Sequence, residues 1–255
     1  MLKHRVIPCL LLRDGGLIKT TKFNRPRYVG DPINAIRIFN EKEVDELMVL
    51  DIVASRQNRG PDFQLIEQFA GECFMPLCYG GGISSIEQAQ QLFALGVEKI
   101  CLQTSILKTP SLITRIAERF GSQSVVVSVD VKRNLLGQPR LYSTMTRQTL
   151  KGPWSRHMCE LVAAGAGEVL LNAVDRDGMM NGMDLDLIRE ASCAVDVPVT
   201  AVGGVGSLAD IKAAIKAGAS AVAAGAFFVF YGPHRAVLIT YPHYEELEEL
   251  LGGCV

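Results

Sequence analysis

Apolar and polar positions follow two periods along this chain. Nearly continuous apolar runs fall at residues 6–12, 47–52, 74–79, 99–103, 125–131, 169–174, 199–202 and 221–225. Short runs with little polar alternation read as strands covered on both faces, the signature of a parallel sheet. Between them lie helix-period segments such as 84–95, 111–120 and 208–217. Ser84 and Ser207 stand where helix N-caps belong, and Gly96 and Gly218 where helices stop. Eight strand–helix units in a chain of this length predict an α/β fold, a (β/α)8 TIM barrel, over residues 1–255 as one domain without a linker. A doubly wound open sheet is the alternative.

The chain nearly repeats itself at an offset of 122 residues, and only the barrel accounts for that. Gly81-Gly82 recurs as Gly203-Gly204. The same shift carries Glu46 onto Glu168, Gly60 onto Gly182, Asp62 onto Asp184, Pro76 onto Pro198, Ser85 onto Ser207 and Gly96 onto Gly218, without a gap. A repeat of half the chain is too long for a solenoid unit. It predicts two duplicated (β/α)4 half-barrels with paired sites.

Composition removes several function classes. A net charge of −1 leaves no electrostatic footprint for nucleic acid. The apolar stretch 219–230 is too short to span a membrane, and the start, Met1 to Arg5, runs into a strand that is too short for a leader. Seven cysteines (9, 73, 78, 101, 159, 193 and 254), mostly in apolar runs and without a CxxC, read as buried free thiols in a reducing cytosol. His4, His157, His234 and His243 show no metal spacing, so neither a metal nor a cofactor is expected.

In such barrels the chemistry sits where strands meet their following loops. Gly81-Gly82 follows strand 3, and Gly203-Gly204 follows strand 7. Gln103-Thr104 follows strand 4, and Gly225-Ala226 follows strand 8. Glycines admit close approach of the backbone to an oxyanion, and helix N-termini favour negative charge. Together these predict two cradles for an anionic, phosphorylated small molecule; a plain tight turn is the alternative for any one of them. Residues 15–31, carrying Lys19, Lys22, Arg25 and Arg27, form a long first loop placed to close as a lid; a solvated charged loop is the alternative. Acids stand at strand ends: Asp51, Asp130, and Asp175 and Asp177 before Gly178. Asp130 lies inside an apolar strand, where a carboxylate is costly unless paired or functional. It is the first candidate for general acid or base.

Arg5-Val6-Ile7-Pro8-Cys9-Leu10, Leu50-Asp51-Ile52, Gly80-Gly81-Gly82-Ile83, Phe120-Gly121-Ser122-Gln123, Asp130-Val131-Lys132-Arg133, Asp175-Arg176-Asp177-Gly178 and Gly203-Gly204 together resemble the HisF family. That family is the cyclase subunit of imidazole glycerol phosphate synthase, and the similarity spans essentially the whole chain. The resemblance implies ammonia supplied by a HisH-like glutaminase partner. It also implies a charged gate at the barrel bottom, matched here by Arg5, Glu46, Lys99 and Glu168. The alternative is that these charges only tie strand starts together. The family's chemistry uses two aspartates. One is present as Asp130; the other should follow Leu10, where this chain has Leu11. Gln103 stands where the family has Asn, Met179 where it has Thr, and 142–147 lacks the family's glycine pattern. The start through Leu12, Lys22-Phe23, Val29-Gly30-Asp31-Pro32 and 234–239 resemble a divergent glycosyl amidation-associated HisF-like group. That resemblance implies a cytoplasmic subunit working with a sugar amidotransferase to turn an acetamido sugar into an acetamidino sugar for surface polysaccharide. The ordinary cyclase and a non-catalytic scaffold for the glutaminase are the alternatives.

Overall fold

A computed structural model describes residues 4–252; Cys254 lies outside them. Among the described residues eight parallel strands close a barrel: β1 (Arg5–Arg13), β2 (Leu47–Asp51), β3 (Leu77–Gly80), β4 (Lys99–Leu102), β5 (Val125–Arg133), β6 (Glu168–Ala173), β7 (Val199–Val202) and β8 (Ala221–Ala224). Each pairs with its sequence neighbour, and β8 returns to β1 through Arg5–Ala221 to Pro8–Ala224. Helices pack outside, among them α1 (Pro32–Glu41), α2 (Phe63–Glu72), α3 (Ile86–Ala94), α4 (Ser111–Phe120), α5 (Trp154–Ala163), α6 (Leu185–Ala194), α7 (Leu208–Lys216) and α8 (Tyr244–Leu251). Each buries one stripe at helical spacing, as with Ala35, Ile36 and Phe39 in α1 or Trp154, Met158 and Leu161 in α5. One apolar layer lies between barrel and helices. A second fills the barrel itself with Ile7, Cys9, Met48, Cys78, Cys101, Val126, Leu170, Ala221 and Ala223.

The duplication reappears in individual hydrogen bonds. Leu47 N donates to Pro76 O at 2.8 Å, and its repeat mate Val169 N donates to Pro198 O at 3.0 Å. Asp62 caps α2 and Asp184 caps α6, each accepting from the amide three residues on. Ser85 and Ser207 cap α3 and α7 in the same way. Both halves also open alike. β1 continues into an antiparallel hairpin, Gly16–Thr21 with Asn24–Gly30, and β5 into Pro139–Ser143 with Gln148–Thr149.

Four expectations change. The third strand starts at Leu77; Phe74 is 83% exposed, because its amide is held by Asn40 Oδ1 at a turn before Pro76. Ser85, not Ser84, caps α3; Ser84 bonds Gln88 Oε1 instead. Residues 15–31 form a paired hairpin, not an open loop. Its two strands complete the hydrogen bonding of their polar backbone, which a charged sequence alone does not reveal. Among the cysteines Cys9, Cys78 and Cys101 are buried, whereas Cys193 is exposed on α6.

Candidate functional site

Inward-pointing residues alternate along each strand, so the barrel interior is stacked in layers between two ends of different chemistry. At the strand-start end Arg5, Glu46, Lys99 and Glu168 meet in a closed ring. Arg5 bonds Glu46 and, at 2.9 Å, Glu168; Lys99 bonds Glu46 at 2.8 Å and Glu168 at 2.9 Å. The ring is nearly dry: Glu46 and Glu168 are buried, Arg5 and Lys99 partly so. Thr200 adds a hydroxyl to Glu168 Oε1 at 2.6 Å. Burial opposes the charge on Glu168, but Arg5, Lys99 and Thr200 outweigh it and hold the carboxyl below its ordinary range. The repeat mate of Thr200 is Cys78, and Glu46 Oε1 is left buried without a partner.

At the other end the strands open into a cavity of about 190 Å³ lined by the remaining candidates except Lys22, Arg25, Arg27 and Asp175, the last of which accepts from Arg133 N at 2.7 Å. Asp130 is fully inside it. Gln103 Nε2 donates to its Oδ2 at 3.0 Å, and Ser128 Oγ to its Oδ1 at 3.2 Å. Neither Lys132 nor Arg133 pairs with it: Lys132 lies over the Tyr142 ring, and Arg133 pairs with Asp184. Burial without a cation pushes Asp130 up to about 7; the Ser128 hydroxyl opposes this and Asp177 adds to it. A carboxyl poised there can give or take a proton at neutral pH. The Gln103 amide is fixed in turn, its Oε1 accepting from Thr104 and Thr144.

Strand register identifies the counterpart of Asp130. Asp130 faces Asn172 across β5–β6, and Leu11 faces Leu50 across β1–β2. Leu50 and Asn172 are repeat mates. Leu11 therefore occupies the place in the first half that Asp130 holds in the second.

The other candidates divide into those open to the cavity and those committed to holding loops. Lys19 reaches in from the first hairpin and is wholly buried, bonding Cys9 O beside Gly225. Burial lowers its proton affinity, and Cys9 and Asp177 counter that. Asp177 fastens the same hairpin, accepting from Thr20 Oγ1 at 2.7 Å and Phe23 N at 3.0 Å. Gly178 lets that hairpin sit down, since a Cβ there would collide with Thr20 O. The expected lid is thus docked over the mouth. Asp51 also turns to structure: Oδ1 accepts from Val53 N and Ala54 N at 3.0 Å, and Arg59 lies 3.4 Å from Oδ2.

The glycine pairs have a packing cause of their own. All four adopt positive φ. A Cβ on Gly81 would meet Asp51 O, and one on Gly203 would meet Ala173 O; Gly82 is pressed on Arg59 and Gly60, and Gly204 on Gly182. The Asp51, Gly60 and Ala54 contacts have their mates 122 residues on in Ala173, Gly182 and Arg176, so close loop packing alone requires glycine at these turns. The anion reading rests instead on their surroundings. Thr104 and Ala226 each open a short helix whose start has no side-chain cap, and both line the cavity with the glycines.

Ser128, Asn172, Thr144 and Arg56 also line the cavity and were not anticipated from sequence. Asn172 Oδ1 is buried without a partner beside Asp130. The one available signal was its polarity inside the apolar run of β6. Among the described residues no group of His, Cys, Asp and Glu is arranged to hold a metal, and no helix is long and apolar enough to cross a membrane.

Comparison with known proteins joins this geometry to a family. Residues 5–234 match the family described as histidine biosynthesis protein. A Pseudomonas aeruginosa protein provisionally named imidazole glycerol phosphate synthase subunit hisF2 is 54% identical over 252 residues, covering 97% of this chain and 99% of that one. A Leptospira interrogans protein with the corresponding provisional name, subunit HisF, is 49% identical over 257 residues, 98% and 99% of the two chains. A Vibrio vulnificus relative, provisionally subunit hisF3, is 47% identical over 258 residues, 98% and 97%. With a duplicated barrel, a charged ring at one end and a carboxyl-bearing mouth at the other, the chain belongs to the HisF family.

Proposed function

We propose that this chain is an ammonia-receiving synthase subunit that works with a HisH-like glutaminase and serves the amidation of an acetamido sugar to an acetamidino sugar. The observation that carries the reading is Leu11 at the twofold position of Asp130, with an unbroken charged ring at the opposite end of the barrel. A leucine side chain cannot exchange a proton, and losing one partner of an acid–base pair typically removes about 10²–10⁴ in rate. Chemistry that needs two facing acids is therefore disfavoured here, while a route for ammonia is retained.

In this reading the glutaminase docks at the ring. Passage requires an ion pair to part, and Lys99, on a flexible four-carbon stem, is the mobile member. Beyond it the interior is lined by small or weakly polar side chains, Cys78, Cys101, Ser128, Ala221 and Ala223, which suit neutral ammonia. Conversion of an acetamide to an acetamidine forms a C–N bond and expels the amide oxygen. That oxygen is a poor leaving group, so a nucleoside triphosphate on the sugar amidotransferase must activate it. This subunit supplies ammonia and holds an anionic small molecule at its mouth.

The test is reconstitution with glutamine labelled with ¹⁵N at the amide, the glutaminase, the sugar amidotransferase, nucleoside triphosphate and the acetamido sugar. Label is expected in the amidino product only when this chain is present. Equal incorporation without it overturns the proposal. A second reading, imidazole glycerol phosphate cyclase, is favoured by Asp130 and the two glycine turns. Under that reading the chain turns over the cyclase substrate with ammonium, and Leu11→Asp raises the rate.

A further inference from the structure

One group at the mouth is used by neither reading. Arg56, in the turn after β2, lines the cavity together with Leu11, Leu50 and Thr144. Its Nε is buried and has no hydrogen-bond partner. Among the described residues no carboxylate forms an ion pair with Arg56 or with Arg147. The cations that bear on Arg56 are Arg147 and Arg13, and Arg13 is itself paired with Asp14 at 3.4 Å. Burial lowers its proton affinity, and Arg147 and then Arg13 lower it further, with Tyr142 opposing. Arg147 is exposed on the turn after Pro139–Ser143, just beyond the cavity-lining Thr144 and Met145, and is held at φ +56°, a left-handed backbone that arginine seldom adopts. The acids that line the mouth are engaged elsewhere: Asp177 with Thr20 and Phe23, Asp130 with Gln103 and Ser128, and Asp51 with Val53, Ala54 and Arg59.

An arginine that lines a cavity with a buried unmet donor and no paired acid lowers stability and is retained where a ligand supplies the missing charge. The repeat makes the point locally. The mates of Ser55-Arg56 are Asp177-Gly178, so where the second half has an acid and a glycine, the first has a hydroxyl and an arginine.

We propose that Arg56, assisted by Arg147, forms an oxyanion-binding point in the first half of the mouth, taking a phosphate or carboxylate carried by the small molecule that occupies the cavity. It lies beside the first glycine turn, where Gly82 N donates to the Ser55 hydroxyl at 3.3 Å, but it uses the arginine's own side-chain donors and not the turn's amides. Arg56 offers a planar fork of N–H donors matched to either oxyanion. The inference shares with the proposed function only a small-molecule site at the mouth. Its test uses neither ammonia nor a partner, so the two stand or fall separately.

The experiment is arginine Nε–Hε NMR of the whole chain, titrated in parallel with inorganic phosphate and with D-glucuronate. The Arg56 signal is identified by its loss in Arg56→Met. The expected result is a saturable shift of the Arg56 and Arg147 signals with one midpoint, in at least one titration; which one responds tells phosphate from carboxylate. Arg147→Gly, which suits the left-handed turn, should weaken the Arg56 midpoint by about tenfold, the loss of one charge-assisted contact. Arg56→Met should raise Tm without the anion and reduce the Tm gain on adding it. An Arg56 signal that stays still in both titrations, while the Gly82 or Gly204 amides move, overturns the proposal. So does an unchanged midpoint in Arg147→Gly together with an undiminished Tm gain in Arg56→Met.

Discussion

Leu11 with Leu50, and Asp130 with Asn172, stand at the same height on opposite sides of one barrel. The second half presents a carboxyl held by an amide and a hydroxyl, an unpaired carbonyl oxygen and a further acid at Asp177. The first presents two leucines, Ser55, an unpaired arginine and Gln103, the amide that holds the carboxyl opposite, while its own acid, Asp51, is tied to Val53, Ala54 and Arg59. Yet the backbone around these side chains is the same in both halves, down to the Leu47–Pro76 and Val169–Pro198 bonds and the paired glycine contacts. Packing has kept the symmetry of the duplication while the mouth has lost it. Glycine turns, caps and stops are required by geometry in each half separately, whereas a side chain facing the cavity is free to differ wherever chemistry no longer needs both.

Breaking the ring should produce the largest effect. Glu168→Ala strands Arg5 and Lys99 and removes the partner of Thr200. It should cost about 3–5 kcal/mol by denaturant unfolding. Glu46→Ala should cost less, since one of its oxygens is already unpartnered.

Asp130→Asn comes next. The group binds its proton in the folded chain up to about pH 7, against an ordinary value of 3.8. Its stabilising share is therefore full below about pH 4 and is lost as pH rises to about 7, where the folded chain must carry a buried charge. Asp130→Asn should flatten that fall and leave the variant more stable than the parent at pH 8, by about 2–4 kcal/mol at most. A parent whose stability is level from pH 4 to 8 would remove the poised carboxyl from the account.

Gly82→Ala and Gly204→Ala test the claim that packing stayed symmetric. Each places a Cβ against a neighbouring loop at positive φ, so both should lose about 1–3 kcal/mol and by similar amounts. A large loss in one alone would show that the halves differ in packing as well as chemistry. The smallest effect is a gain. Cys78→Thr copies Thr200 into the first half and offers Glu46 Oε1 a hydroxyl. Thermal unfolding should report about 0.5–1.5 kcal/mol of added stability.

Much of this was legible in the chain. Apolar runs and the offset repeat gave the barrel, because burial on both faces of a strand leaves a mark in every residue. Asp130 was legible as a polar residue in such a run. Register to Asn172 was not, nor was the ring's asymmetry at Cys78 and Thr200, which depends on which residues meet across strands. The first hairpin was hidden because its charged, outward residues mask the backbone pairing; only Lys19 turns inward. Phe74 was misplaced because an apolar residue before a proline looks like strand, while a side chain 34 positions earlier holds it at a turn. Arg56 reads as an ordinary loop arginine until its buried, unpartnered Nε is seen.

The most direct measurement of the central claim, that Leu11 disarms the first half, is turnover of the imidazole glycerol phosphate cyclase substrate with ammonium by the unaltered chain. The expected rate is at least about 10²-fold below that of a cyclase bearing both aspartates. Turnover at the full rate of such a cyclase would contradict it.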